Sequence, residues 1–365
     1  MKSKILFIMH MPPPMHGAAQ VGQYIHDSKL ISETFECRFF NPSASSNVKQ
    51  VGHLSLKKIM FLFTSILKIA KIVVLWKPDL IYLTPSSSGW GFYRDFLTIW
   101  LLKKKKQKIV VHFHNKVFKP FRRKWYNKLL YANFFKGIKT IFLSELLVPD
   151  FEEFLTSNQV FICPNGIPLQ NIDMTKKSND VYTFFFLSNM MEKKGVKVLL
   201  NACKILKDMK FRFRCIFVGK WADIQKKDFD RDCDSYGLKS YVYAYGAKYG
   251  REKEHFFLES DCFVFPTINH GECFPLVLLE AMSYGLPCIS TNIGAIPSML
   301  ENEIDGFVVE QKDDRMLAKI MASMIDNPQK GIEIGQKGRK KFEDKYTLEI
   351  FESKICSILK ECLKS

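Results

Sequence analysis

Residues 183–219 read TFFFLSNMMEKKGVKVLLNACKILKDMKFRFRCIFVG. The run TFFFLSN is short and almost wholly apolar, as in a strand buried on both faces. After Lys193-Lys194-Gly195 the period changes: VKVLLNACKIL fits a helix, and RCIFVG returns to a strand. Strand, helix, strand is a parallel crossover unit. The same alternation runs outward in both directions. Toward the carboxyl end strands read at VYAYG, CFVFPT, PCIST and GFVV. Toward the amino end they read at VFICP, TIFLS, KIVVHFH, LIYLTP, ECRFF and KILFIM, with helical patterns between. Two such series predict an α/β chain of two doubly wound, Rossmann-like domains, with ligands at strand carboxyl ends and in the cleft between the domains. The length of 365 residues suits two domains of roughly 150 to 200. The boundary follows Pro164-Asn165-Gly166-Ile167-Pro168, where the polar stretch QNIDMTKKSND begins.

Composition excludes a disordered chain: 47 % of residues are hydrophobic and 25 % charged. The net charge of +17 is unevenly placed. Residues 1–168 hold 24 Lys or Arg and 9 Asp or Glu, a balance of +15, against +2 for the remainder. A polyanionic partner is therefore expected for the first half: an anionic lipid surface, nucleic acid or a phosphorylated substrate. No nucleic-acid recognition motif is visible, which argues against that class. The ten Cys form no CxxC pair and no zinc spacing, so buried free thiols in a reducing cytosol are expected. ILFIM at the amino end reads as a first strand and not as a signal peptide. Ile59 to Trp76 fits a helix, but Lys68 and Lys71 argue against its spanning a bilayer.

The most specific pattern is Glu272-Cys-Phe-Pro-Leu-Val-Leu-Leu-Glu280, followed by AMSYGLP. Pro275 suits the first turn of a helix and Gly285 its end. Glu272 then lies in the loop ahead of the helix, and Glu280 about five residues past Pro275, roughly 7 Å along the axis. Free amides at the helix start, around Phe274, Pro275 and Leu276, can bind a diphosphate. Glu280 would then be a ribose away, and Glu272 would face what the diphosphate carries. The alternative is an amphipathic helix with two surface carboxylates, yet so apolar a run around Glu280 requires a partner for that carboxylate.

Three further constellations bear on the chemistry. Asn189-Met-Met-Glu-Lys193-Lys194-Gly195 leads into a helix, and a Lys there can neutralise a departing diphosphate. The alternative is a solvated lysine pair. Pro12-Pro-Pro-Met-His16-Gly17-Ala18-Ala19 follows the first strand, where Gly17 permits close approach of a ligand. It is not GxGxxG, so a nicotinamide cofactor has little support. His112 and His114 alternate onto one face at a strand end, either as substrate contacts or as a hydrogen-bonded core pair. Asp228, Asp230, Asp232 and Asp234 contain DxD triplets that could hold a divalent ion; they precede YGLKSYVYAYG, where a solvated acidic helix face is expected.

Taken in order, PPPMHGAA, VVHFHN, IFLSE, PNGI, LSNMMEKKGVKVLLNA, FVG, SDCFVFPT, GECFPLVLLEAMSYGLP and ISTNIGAIPSML with DGFVV resemble glycosyltransferase family 4, retaining hexosyl-type transferases of the GT-B fold. The resemblance spans nearly the whole chain. It implies domains 1–168 and 169–345, with a helix of about 346–365 packing back on the first. It implies that Glu280 binds donor ribose hydroxyls and Glu272 the transferred sugar. Lys194 and Asn189 would contact the diphosphate, His114 the donor sugar, and Gly17 would admit the diphosphate to the first loop. No metal or cofactor is expected. The implied reaction moves a sugar from a nucleotide diphosphate-sugar to a lipid-linked or oligosaccharide acceptor at the inner face of a bacterial membrane, in cell-surface glycan synthesis. A GT-B-like epimerase or a non-catalytic nucleotide-sugar-binding protein is the alternative. Asn189 stands where Arg is frequent in the family, and Pro275 where Gly is frequent.

A membrane contact is expected over 103–139. Residues 115–137 contain seven Lys or Arg and no acid, interleaved with aromatic residues, and Lys139 lies just beyond. After Pro120, a continuous helix would carry Phe121, Trp125 and Leu129 on one apolar face. The alternative is that this face packs on the domain core.

Overall fold

The computed structural model describes residues 2–13, 16–42, 56–116, 119–170 and 180–364. The chain divides into two compact units, Met1–Gly166 with Leu348–Ser365, and Ile167–Thr347. Each is built on a six-stranded, all-parallel sheet.

In the first unit the elements are β1 (Lys4–Ile8), α1 (Gly17–Asp27), α2 (Lys29–Thr34), β2 (Glu36–Phe40), α3 (Leu56–Trp76), β3 (Leu80–Leu83), α4 (Gly89–Lys104), β4 (Ile109–Phe113), α5 (Lys119–Arg122), α6 (Trp125–Phe135), β5 (Lys139–Phe142) and β6 (Val160–Ile162). The strand order is β2-β1-β3-β4-β5-β6. The central strands β1, β3 and β4 are almost wholly buried, which is why they are continuous apolar runs and not alternating ones. The chain moves one way from β1 to β2 and the other way from β3 to β5. Right-handed crossovers then place α1 and α2 on one face of the sheet and α3, α4 and α6 on the other. The contacts agree, since α4 packs on both α3 and α6.

The second unit runs β7 (Tyr182–Leu187), α7 (Val196–Asp208), β8 (Phe213–Val218), α8 (Lys226–Ser235), β9 (Val242–Ala244), α9 (Gly250–Leu258), β10 (Cys262–Phe265), α10 (Leu276–Ser283), β11 (Cys288–Thr291), α11 (Ile296–Met299), β12 (Phe307–Val309), α12 (Asp314–Asp326) and α13 (Pro328–Lys345). Helix α14 (Leu348–Lys364) returns to the first unit and packs on α2. The order β12-β11-β10-β7-β8-β9 makes β7 a turning point: the chain leaves it toward β8 and β9, then comes back to pair β10 on its other side. Loops leaving two such strands part to opposite faces and open a crevice at their carboxyl ends.

The 115–137 segment departs from the continuous helix expected. It breaks at Arg123-Lys124 into the four-residue α5 and the separate α6. Phe121 turns inward onto Phe92 and Tyr93, while Trp125 and Leu129 stay exposed. Its charge is also partly committed. Arg122 donates to the Asp150 carbonyl and faces Glu153, and Lys128 pairs with the same Glu153 at 3.3 Å. Lys103 donates to the carbonyls of Asn133 and Phe134 at the end of α6. No disulfide joins any of the ten Cys, and nine of them are buried. Among the described residues, no helix is long and apolar enough to cross a membrane.

Candidate active site

The crevice beside β7 is where the two most specific sequence patterns meet. At the end of β7 the chain passes exposed Asn189, and the Met190 amide donates to the Lys220 carbonyl at 2.8 Å. A single 3₁₀ turn, Glu192–Lys194, follows and is closed by Gly195 at φ 88°. A side chain is excluded there twice over. That φ is left-handed, and a Cβ would lie 2.0 Å from the Pro266 carbonyl oxygen. The close approach lets the loop after β10 hold the Lys193 carbonyl, which accepts from the Ile268 amide at 2.9 Å and from the Thr267 hydroxyl at 3.2 Å. The two motif loops are thus one hydrogen-bonded structure.

Glu272 sits in the loop before α10, as its spacing predicts. Its backbone is fixed from below. The Glu272 amide donates to the Asn269 carbonyl at 2.7 Å, and the Ala295 amide to the Cys273 carbonyl at 2.8 Å. Gly294, at φ 60°, lies so close that a Cβ would come 2.4 Å from the Glu272 carbonyl oxygen. On this base the Glu272 carboxylate meets the Lys194 ammonium at 2.6 Å. Both side chains are largely shielded, and the ammonium also lies 5.5 Å from the Phe265 ring centroid. A charge-assisted bond in so shielded a place is short and strongly oriented.

Helix α10 begins after Pro275, which occupies the N-cap with no side-chain cap. Leu276 is the first helical residue. Phe274 is buried and packs edge-on against Tyr346 at 5.7 Å, so its side chain serves packing. Glu280 emerges one and a half turns on, and the partner its apolar surroundings require is Lys253 of α9, at 2.8 Å. Nothing in the GREKEHFFL run marked Lys253 out from its charged neighbours.

In the first unit, Gly17 is the first residue of α1, and beyond its own neighbours and helix no atom of the described residues lies within 4 Å of where its Cβ would be. The chain's own packing therefore does not demand glycine there. His16 caps α1 by accepting from the Ala19 amide at 3.3 Å. His112 is buried, with Nδ1 2.7 Å from the Tyr82 hydroxyl, and its ring centroid lies 4.1 Å from that of His114. His114 Nδ1 and Asn165 Oδ1 are buried, and Asn165 is the polar side chain that engages His114. Burial, reinforced by His10 and His16, lowers the His114 pKa to about 3, and burial with Arg94 nearby lowers that of His10 to about 4. Both imidazoles are neutral at pH 7. His10, Tyr82 and Lys253 were not singled out by sequence reasoning, because each owes its place to contacts across the fold; His16 stood in the Pro12–Ala19 stretch, but its cap on α1 was not read there.

The Asp cluster lies on α8, as a surface helix face. Asp230 pairs with Lys226 at 2.6 Å, Asp228 with Arg231 at 3.2 Å and Asp234 with Lys239 at 2.9 Å.

Comparison with known proteins bears on the fold and on the second unit. The chain is 28 % identical over 181 residues to the putative colanic acid biosynthesis glycosyltransferase WcaL of Escherichia coli, covering 47 % of this chain and 43 % of the relative. It is 26 % identical over 190 residues to the capsular polysaccharide biosynthesis glycosyltransferase CapM of Staphylococcus aureus, covering 52 % and 48 %. The chain thus spans less than half the length of these relatives. A glycosyltransferase from Rickettsia africae superposes with TM-score 0.77 at 19 % identity, over 100 % of this chain and 99 % of that one. HepE of Anabaena, solved with UDP, superposes with TM-score 0.76 at 16 % identity, over 98 % and 100 %. The fold is the GT-B fold of these transferases, and residues 170–341, most of the second unit, match the family model of the glycosyl transferases group 1.

Proposed function

We propose that this chain is a retaining glycosyltransferase of bacterial surface-polysaccharide synthesis, moving a sugar from a nucleotide diphosphate-sugar to a lipid-linked or oligosaccharide acceptor. The observation that carries the reading is the Lys194–Glu272 pair at 2.6 Å beside the uncapped start of α10, with Glu280 further along the same helix. Donor transfer breaks the bond between the sugar's anomeric carbon and the diphosphate oxygen and forms one from that carbon to an acceptor hydroxyl oxygen, whose proton passes to the departing diphosphate. The bonding pair leaves with the diphosphate, and a fixed cation beside it stabilises the charge as it develops. Lys194 takes that role, with Asn189 and the backbone N–H groups of Phe274 and Leu276 completing the diphosphate contacts beside Pro275, which donates none. Glu272, already oriented by Lys194, meets the transferred sugar. Glu280, held by Lys253 through one carboxylate oxygen, offers the other to the ribose hydroxyls. In the first unit, neutral His114 can exchange a hydrogen bond with a sugar hydroxyl without adding charge, and Gly17 leaves room for a diphosphate oxygen. No metal enters this scheme.

The test is a panel of nucleotide diphosphate-sugars, read by thermal shift and by donor hydrolysis without acceptor. One nucleotide-sugar class should stabilise the protein, and Glu280→Gln should abolish that shift. Binding with no hydrolysis or transfer would leave a non-catalytic sugar-nucleotide-binding protein, and interconversion of sugar epimers would leave an epimerase. Either result overturns the transferase reading.

A further inference from the structure

Helix α3 is apolar on two opposite faces. Leu62, Ser65, Ile69, Val73 and Trp76 recur at helical spacing and are buried against the unit. Met60, Phe63 and Leu67 form the opposite stripe and are 68 %, 59 % and 69 % exposed, with Val74 and Leu75 exposed further along. One stripe satisfies the fold, and the second has nothing over it among the described residues. The neighbouring helices continue that surface. Leu97 and Trp100 of α4 and Trp125, Tyr126 and Leu129 of α6 are exposed. The three helices are one layer on one face of the sheet.

The surface is basic as well as apolar. Residues 56–139 contain 19 Lys or Arg and only two acids. Asp95 is buried against Arg94 at 2.8 Å, and Asp79 accepts from the Lys4 amide at 2.7 Å. Lys68, Lys71, Lys104, Arg123 and Lys124 are exposed, and the Lys104 ammonium lies over the Trp100 ring at 5.7 Å. Glu153 compensates only the edge of the layer, at Arg122 and Lys128.

We propose that the outer face of the α3–α4–α6 layer is a docking surface for an anionic lipid bilayer, with α3 lying in the headgroup boundary. The charge decides between occupants. A second copy of this chain would set lysines against lysines. A nucleic acid would neutralise the lysines but leave Met60, Phe63 and Leu67 in water. An anionic bilayer accepts the apolar stripe below its headgroups and the lysines among them, and aromatic residues favour that boundary. The membrane contact then centres on α3 and not on 103–139, independently of any transferase activity.

The test is co-sedimentation of the full chain with vesicles of phosphatidylcholine alone or mixed with phosphatidylglycerol. Binding should require phosphatidylglycerol and weaken with salt. Phe63→Glu with Leu67→Glu, and separately Lys68→Glu with Lys71→Glu, should each lower partitioning about tenfold or more, with melting temperature unchanged because these side chains are exposed. Equal partition to both vesicle types, or full binding by the Phe63/Leu67 double variant, overturns the proposal. So does a lipid-free dimer that this double variant converts to monomer, or binding of single-stranded nucleic acid in preference to vesicles that it leaves unchanged.

Discussion

At the scale of single residues, the two motif carboxylates are each matched to a lysine: Glu272 to Lys194 and Glu280 to Lys253. The pairs make different predictions under the proposed function. Lys194 is placed to act on charge that appears as the donor bond breaks, so Lys194→Ala should lower turnover by roughly two to three orders of magnitude, with little change in donor affinity. Near-normal turnover in steady-state kinetics would remove Lys194 from the mechanism. Lys253 holds a binding carboxylate, so Lys253→Met should act mainly on donor KM, and Lys253→Arg should restore most of the affinity. A fall in turnover at saturating donor, with KM unmoved, would exclude that positioning role. Lys194 was legible in sequence because it stands in a fixed place before Gly195. The pairing of Lys253 was not, because it is a contact with a residue 27 positions away.

At the scale of elements, the site is a junction of two loops that fit only without a side chain at Gly195. Gly195→Ala forces a left-handed alanine against the Pro266 carbonyl oxygen, so it should destabilise the second unit by about 2 kcal/mol or more. Denaturant unfolding measures this, and an unchanged midpoint would mean that the loops can part without cost. Helix α8 offers the contrasting case. Its aspartates are committed to surface pairs with Lys226, Arg231 and Lys239, which contribute little each. Changing Asp228, Asp230 and Asp232 together to Asn should leave transfer nearly unaffected, and transfer should survive EDTA. Loss of transfer that manganese restores would assign this helix a metal. The break between α5 and α6 shows where element reading ran short. Phe121, Trp125 and Leu129 keep helical spacing in sequence, yet burial of Phe121 against Phe92 and Tyr93 turns the chain out of line.

At the scale of the whole molecule, the first unit gathers four histidines whose pKa values are lowered mainly by burial: His10, His16, His112 and His114. The folded chain resists protonating them and the unfolded chain does not. Below pH 6.5 the unfolded state therefore binds more protons, and stability falls as pH drops. With pKa values of about 4 for His10 and about 3 for His114, each should remove about 1.4 kcal/mol per pH unit between roughly pH 6.5 and 4. Above pH 6.5 both imidazoles are neutral in the folded and the unfolded chain, and the slope vanishes. Urea titrations from pH 7 to about 4.5 should show this slope, and His10→Gln with His114→Gln should flatten it. An unchanged slope in the double variant would mean that other groups govern acid sensitivity.

The twelve strands among the described residues, the alternation of helices between them (though not the break between α5 and α6) and the order of the motif loops were determined by the sequence alone. Each of these is written in local periodicity: continuous apolar runs for buried strands, helical spacing between them, glycine and proline at the ends. Tertiary structure decided which of these pieces touch. Strand order placed β10 beside β7, and so joined Lys194 to Glu272 across 78 residues. Folding committed Arg122 and Lys128 to Glu153, and separated the two apolar stripes of α3 into one that packs and one that does not. Periodicity reports that a face is apolar, but what covers that face depends on neighbours brought from elsewhere in the chain, and those carry no local signature.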